Sequence, residues 1–404
     1  MASLDRLYKV MASFQYTGER IFYTFASLYA DLKGATPAQI GVMLSLQNIL
    51  AFIGQQYFGK SSDKVGRPLI IGFGWIVSII CSFMIFNFVD PILIIATFAL
   101  YNIGYSMVQP AWNALIGDSF PANIRAKQLG VIGAAATLFG GLLYLAAGLL
   151  SSLLFKPFSF LFIVAGVCFC IAFVMVVFLS KTSRIPEREV IQRDGHLSVF
   201  DPLQRHLSFR KFVLIDTTFA MSMSLSWPLF PHATNNLANP SQVAIIWFAT
   251  FLSFSFTARY NTQIKRYIGK YSHSFFISRM LMFLVPLTFA FATSWVHILL
   301  VRIISGGSFG FYSIVQKDYI LETCEQLHRT QDRGWFLGSH AFVWGILTFF
   351  GSLFSGFIAE YFIVTHPGII GYSGLFIVAS IARFVTVSLY FLVPSFESYP
   401  SILV

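Results

Sequence analysis

Charge is what this sequence has least of. Of 404 residues only 11% are charged, where a water-soluble domain carries about a quarter. Mean hydropathy is +0.71 and 56% of the residues are hydrophobic. A surface with so little charge could not stay wet, which excludes an ordinary soluble enzyme or binding domain. Cysteine is also scarce, at four residues. Cys81, Cys168 and Cys170 fall in apolar runs and Cys324 in a polar stretch, so neither disulfides nor a cysteine metal site is expected. No H-E-x-x-H and no Walker phosphate loop occurs. That removes the metalloprotease and ATP-driven readings, and no metal or cofactor is implied.

What the chain has instead is apolar runs of bilayer length. Only helices and closed barrels span a bilayer, and runs of about 20 residues suit helices. Twelve spans are expected, near 8–32, 38–58, 69–89, 92–117, 126–150, 158–180, 211–231, 242–260, 274–293, 296–317, 334–359 and 369–393. Span 1 carries Glu19 and Arg20, so it does not read as a cleavable signal peptide. The fold class expected is an all-α membrane protein with twelve transmembrane helices, multi-pass in the cell membrane, with the lipid bilayer as partner.

The net charge of +10 invites a nucleic-acid reading, but its distribution argues against one. With the N-terminus inside, 22 of the 27 basic residues fall on the cytoplasmic side, Arg279 among them, and only Lys33 and Lys156 fall outside. This is the positive-inside rule, and it predicts both termini cytoplasmic. The longest polar segment, Lys181 to Lys211, divides the spans six and six. The expected organisation is an N-terminal six-helix bundle over 1–180, a central cytoplasmic loop over 181–210 and a C-terminal bundle over 211–404. The halves echo each other. Leu161-Phe162-Ile163-Val164-Ala165 returns as Leu375-Phe376-Ile377-Val378-Ala379, and Arg125-x-x-x-Leu129-Gly130 returns as Arg333-x-x-x-Leu337-Gly338.

Between spans 2 and 3 lies Gly59-Lys60-Ser61-Ser62-Asp63-Lys64-Val65-Gly66-Arg67-Pro68. Gly59, Asp63, Gly66 and Arg67 fit G-x-x-x-D-x-x-G-R, and this resembles the signature loop of the major facilitator superfamily. The resemblance covers the whole chain in span count and loop plan, with its specific residues mainly in the first half. It implies a secondary transporter, not an enzyme, whose two bundles rock about a site near mid-membrane. By the same resemblance Asp63, Gly66 and Arg67 would gate that motion, with Asp118 and Arg125 as companion charges. The competing reading makes them loop charges that set topology. The arginine that the family carries in helix 4 is missing, since Leu100 precedes Gly104. Arg302 before Gly306 supplies a similar R-x-x-x-G in span 10.

Charges at mid-membrane cost at least about 2.5–3.5 kcal/mol each, so they persist only when paired or wet. Helical spacing in span 1 aligns Ser13, Thr17, Arg20, Thr24, Ser27 and Asp31, with Gln15, Glu19 and Tyr23 along the edge. Glu19 is the candidate proton carrier. Arg20 is expected to hold either a substrate anion or Glu19. Tyr23, Trp112, Asn113, Trp227, Arg302 and His340 complete the candidate substrate-binding set, against the alternative that such groups only join helices. Arg383 in span 12 reads as a peripheral, outward-snorkelling arginine. Gly306-Gly307-Ser308-Phe309-Gly310 fits the nucleophile elbow G-x-S-x-G, but inside an apolar helix it signals close packing rather than hydrolysis.

The function expected is proton-coupled symport of a small polar or anionic metabolite by alternating access. One alternative is a proton-driven multidrug exporter. The family's exporters often carry G-P-x-x-G-G in helix 5, and here Gly140-Gly141 remain while Gly-Pro is replaced by Ala136-Thr137. Another is a non-transporting membrane sensor or scaffold, against which the intact loop argues. Oligomeric state is left open, a monomer being sufficient.

Overall fold

A computed structural model describes residues 2–120, 122–154, 157–182, 200–327, 333–366 and 371–394, and among these there is no strand. The first half contains α1 (Ala2–Leu32), α2 (Pro37–Val65), α3 (Arg67–Ile85), α4 (Pro91–Ser119), α5 (Ala122–Ala135), α6 (Gly141–Ser151) and α7 (Pro157–Thr182). A π segment, Ala136–Gly140, joins α5 and α6 into one rod. The second half contains α8 (Asp201–Arg205), α9 (Leu207–Ser224), α10 (Phe230–Leu237), α11 (Pro240–Arg259), α12 (Asn261–Ile268), α13 (Tyr271–Met280), α14 (Leu284–Phe291), α15 (Trp295–Gln326), α16 (Arg333–Glu360) and α17 (Tyr372–Val387).

Every expected span coincides with one of these rods. Ten are long and apolar enough to cross a membrane among the described residues. The two that fall short are α1 and the broken α9–α10 rod, where polar side chains replace apolar ones. The chain is a multi-pass integral membrane protein. Of the expected central loop, residues 183–199 lie outside the described residues.

The segment after Gly59 corrects one expectation. It is not an open loop: α2 continues through Val65, and the chain turns at Gly66 alone. Gly66 has φ of 107° and its N–H donates to the Ser62 carbonyl at 3.1 Å. Only glycine enters this region without strain, and Arg67-Pro68 restarts the helix, with proline tolerated where no intrahelical N–H is needed.

Two helix starts show an echo that sequence reading missed. Thr36-Pro37 opens α2 and Asn239-Pro240 opens α11, each with a reciprocal capping box closed by Gln39 or Gln242.

The halves meet along two seams. In one, α2 crosses α16, and in the other α6 crosses α11. A Cβ on Gly41 would lie 2.8 Å from the Ser352 carbonyl and 2.9 Å from the Gly356 Cα, so this crossing is backbone against backbone. At the second seam a Cβ on Gly148 would fall 2.1 Å from that of Ala244. Close approach through small residues is how helices associate in lipid, where apolar burial alone drives little. The outer helices α3 and α7 pack together and expose Phe73, Ile80, Val174 and Phe178, as a lipid-facing surface should.

Candidate functional site

A cavity of about 1020 Å³ lies between the halves, walled by α1, α2, α4, Trp227 and α10, α11, α13, α15 and α16. It is closed at the end where α1 turns into α2. There the Glu360 carboxylate, at the end of α16, accepts hydrogen bonds from Thr36 Oγ1 at 2.5 Å and Ala38 N at 3.2 Å. It caps a helix of the other half, where partial positive charge collects. Asn235 Nδ2 on α10 donates to Asp31 and to the Leu28 carbonyl, both at 2.8 Å, and His232 Nδ1 lies 3.3 Å from Asp31. Toward the opposite end the lining includes the exposed Asn113 and Lys317.

The polar stripe of α1 divides among three tasks. Ser13 and Thr17 donate to the Ala135 and Gly140 carbonyls at 3.3 and 3.0 Å, beside the π segment. Arg20, Tyr23, Thr24 and Ser27 face the cavity. Asp31 serves the closed end. Glu19 does not hold Arg20: among the described residues no ion pair joins them. Glu19 Oε1 accepts from Gln15 Nε2 at 2.8 Å and Gln109 Nε2 at 3.0 Å. The Arg20 guanidinium instead lies 4.8 Å from the centre of the Tyr16 ring and 5.1 Å from that of Phe251.

Arg302 is held in the same way, 4.8 Å from the Trp247 ring and 5.1 Å from Phe230. Trp247 and Phe251 are one turn apart on α11, with ring centroids 5.9 Å apart. One aromatic face of α11 therefore carries two cations, held against rings, and among the described residues neither makes an ion pair with a carboxylate. Of the remaining candidates, Tyr23, Asn113, Trp227 and His340 line the cavity. Tyr23 also donates to Asn102 Oδ1 at 2.9 Å. Trp112 does not reach the cavity. It packs behind α4 against Tyr8 and Trp75, at centroid distances of 5.7 and 6.4 Å, because its position on the helix turns it into the core while Asn113 faces out.

Of the gating candidates, Gly66 and Arg67 form the α2–α3 junction. The side chains of Asp63, Asp118 and Arg125 lie outside the described residues.

The structure also assembles a group that sequence reading missed. Asp216 on α9 is fully buried, and its carboxylate accepts from Tyr312 OH at 2.6 and 2.7 Å, from His340 Nε2 at 2.8 Å and from Tyr390 OH. Arg279 Nη2 lies 3.4 Å away, with its guanidinium over the Tyr312 ring. Arg279 is only 1% exposed, which overturns its assignment to the cytoplasmic loops. A lone Asp inside the apolar run Phe212–Ala220 was the available signal, since such a charge needs a partner.

Arg383 is corrected as well. It does not snorkel outward but turns inward, donating to the Met282 carbonyl at 2.9 Å, the Met223 carbonyl at 2.8 Å and Ser226 Oγ at 2.5 Å. These acceptors lie where α9 and the α13–α14 rod break, near Pro228 and Pro286, so Arg383 satisfies backbone groups that the breaks leave unpaired. The Gly306–Gly310 segment is a packing surface: a Cβ on Gly306 or Gly310 would fall 2.4 Å from the Thr250 or Phe254 carbonyl.

The profile of the Major Facilitator Superfamily matches residues 10–223, and the chain belongs to that family. Its sequence is similar to two uncharacterized MFS-type transporters of Methanocaldococcus jannaschii. One is 28% identical over 109 residues, covering 27% of this chain and 28% of that protein. The other is 34% identical over 99 residues, covering 24% of each. These matches span about a quarter of either relative. Among solved structures, the chain resembles the nucleoside transporter NupG with a TM-score of 0.76 at 15% identity, over 98% of this chain and 100% of that one. It resembles a D-xylose-proton symporter with a TM-score of 0.68 at 11% identity, over 96% of both. At these identities the likeness is one of fold. The fold and family are those of transporters, not enzymes.

Proposed function

We propose that this protein is a secondary active transporter of a small polar or anionic metabolite, coupled to protons. The observation that carries the substrate class is the cavity's charge. Arg20, Arg279, Arg302 and Lys317 line it, and no acidic side chain does so among the described lining residues. In a low-dielectric site such a potential favours an anion far more than it would in water. Tyr23, Trp227, Phe230, Trp247, Phe251 and Trp344 add flat apolar surface for the body of the ligand.

The mechanism follows from the two ends. Residues 1–180 and 211–404 act as two bundles that rock about the glycine crossings. The hydrogen bonds at Asp31 and Glu360 break as that end opens, and Asp63, Arg67, Asp118 and Arg125 hold the opposite end. The positive-inside rule puts the open end of the cavity in the cytoplasm. Glu19, bonded by two amides beside the cavity, is the proton carrier in this scheme.

Thermal-shift screening of the solubilised protein against organic anions, neutral polar solutes and lipophilic cations tests the reading, because a ligand that binds the folded state raises its stability. Stabilisation confined to anions or neutral polar solutes, followed by pH-driven uptake in liposomes, is the expected result. Lipophilic cations as the sole hits would instead promote the exporter alternative. No flux of any hit would promote the sensor or scaffold.

A further inference from the structure

The Asp216 cluster joins three chargeable groups, two of which face the cavity. Asp216 is enclosed, while Arg279 and His340 line the cavity wall. A single carboxylate thus stands between two possible cations. Its distances to them differ: His340 Nε2 is at 2.8 Å and Arg279 Nη2 at 3.4 Å. Charge-assisted N–H···O bonds are about 2.7–2.9 Å long, so the histidine contact is of full strength and the arginine contact is stretched. We propose that Asp216 is a counter-ion shared by Arg279 and His340, and that a proton taken up at His340 transfers the Arg279 charge to the cavity, where it binds an organic carboxylate.

The charge count gives the direction. With His340 neutral, Asp216 cancels Arg279 and the cluster has no net charge. With His340 protonated, Asp216 is paired at the shorter distance and the cluster carries one positive charge toward the cavity. No helix needs to move for this to happen. The Asp216 carboxylate favours the proton at His340, the cations Arg302, Lys317 and Arg383 (of α17, beside Met223) work against it, and the remaining groups around the pair are neutral. From α15 come the Tyr312 hydroxyl and Gln316, whose Nε2 lies 3.0 and 3.1 Å from the two ring nitrogens of His340. Tyr390, after α17, adds a hydroxyl. Phe212 of α9 stacks on the imidazole at 5.8 Å. Across the cavity α2 offers, among the described residues, the amides of Gln47, Asn48 and Gln55, while Lys317 and Arg302 share the wall. His206 lies against Phe336, one turn from His340. Proton and carboxylate binding then reinforce each other, and linkage makes the effect reciprocal.

The proposal rests on the anion reading of the cavity, and the test separates the two. The full-length protein in lipid nanodiscs is titrated with benzoate, and with benzyl alcohol as its neutral counterpart, between pH 5 and 8. Benzoate affinity should tighten as pH falls, approaching about tenfold per pH unit for a one-proton linkage. His340→Gln should leave binding weak and independent of pH, because Asp216 then always cancels Arg279. Asp216→Asn should leave it tight even at pH 8, because Arg279 is never cancelled. These opposite outcomes distinguish a charge switch from a merely structural cluster, in which both variants would bind weakly. Weak binding in both, or a flat profile for the unmodified protein, overturns the proposal while leaving the anion reading intact. Benzyl alcohol binding as tightly as benzoate refutes the anion reading itself. Should either variant fail to fold, the imidazole ¹⁵N signal of His340 in the unmodified protein decides. No titration there between pH 5 and 8 overturns the proposal.

Discussion

Glu360 offers the most direct test of how the cavity is closed. Its carboxylate spans the two halves and caps α2 through Thr36 Oγ1 and Ala38 N. Hydrogen bonds to a charged group contribute about 1.5–3 kcal/mol each, and a negative charge at a helix N-terminus adds about 0.3–1 kcal/mol. Glu360→Gln keeps an acceptor oxygen but loses the charge, a loss of about 1.5 kcal/mol. At about 1.4 kcal/mol per tenfold, that raises the population open at this end roughly tenfold. Glu360→Ala loses both bonds, about 3 kcal/mol, and raises it roughly 100-fold by the same scale. The Asp31 contacts remain, so neither change should unfold the protein. Ser45 is a suitable reporter, being 1% exposed on α2 and bonded to the Phe349 carbonyl of α16 at 3.0 Å. Ser45→Cys should react slowly with a membrane-impermeant maleimide, and its rate should rise in the order Glu, Gln, Ala at position 360. Three of the four native cysteines are buried, which limits background labelling. An unchanged rate in the Glu360→Ala background would refute the reasoning and make that contact incidental.

Three further outcomes are expected. Asp63→Asn should cut liposome transport strongly with expression and ligand binding preserved, and normal flux would reduce the segment to a topology signal. Glu19→Gln should abolish accumulation driven by a pH gradient while sparing exchange, since a neutral amide imitates the protonated acid; accumulation that survives unaltered removes Glu19 as the carrier. Arg302→Gln should weaken anion binding with little loss of stability. Arg383→Gln should do the reverse, costing about 3 kcal/mol through the carbonyls it leaves unpaired, and thermal denaturation alongside binding measurements separates the two.

The sequence made the rods legible because lipid demands long uninterrupted apolar helices, and α1 displayed its cavity side because polar residues recur there at helical spacing. Arg20, Tyr23, Asn113, Trp227, Arg302 and His340 were accessible by that logic. Trp112 was not, since an indole next to a cavity-facing asparagine looks the same in sequence whether it turns inward or sideways. Asp216 and Arg279 were harder still. Their meeting depends on where α13 begins and on how α9 and α13 each pack against α17, which no single helix encodes. Arg279 lies eight residues after Tyr271, near enough to a basic turn to be counted with it. The pairing of Arg20 with rings rather than with its neighbour Glu19 likewise follows from α11, which supplies Phe251 from the other half of the chain.

The contact of Gly41 with Gly356 has a mechanical consequence. Where helices interlock through side chains, sliding one past the other means lifting each knob out of its hole, and motion proceeds in steps about one helical turn apart. Two bare backbones have no teeth. They form a bearing on which tilt can vary smoothly, with its cost set by the contacts at either rim rather than by the pivot. A methyl group at either glycine would turn the bearing into a gear. It would fix one tilt and slow turnover while every residue that touches solute stayed in place.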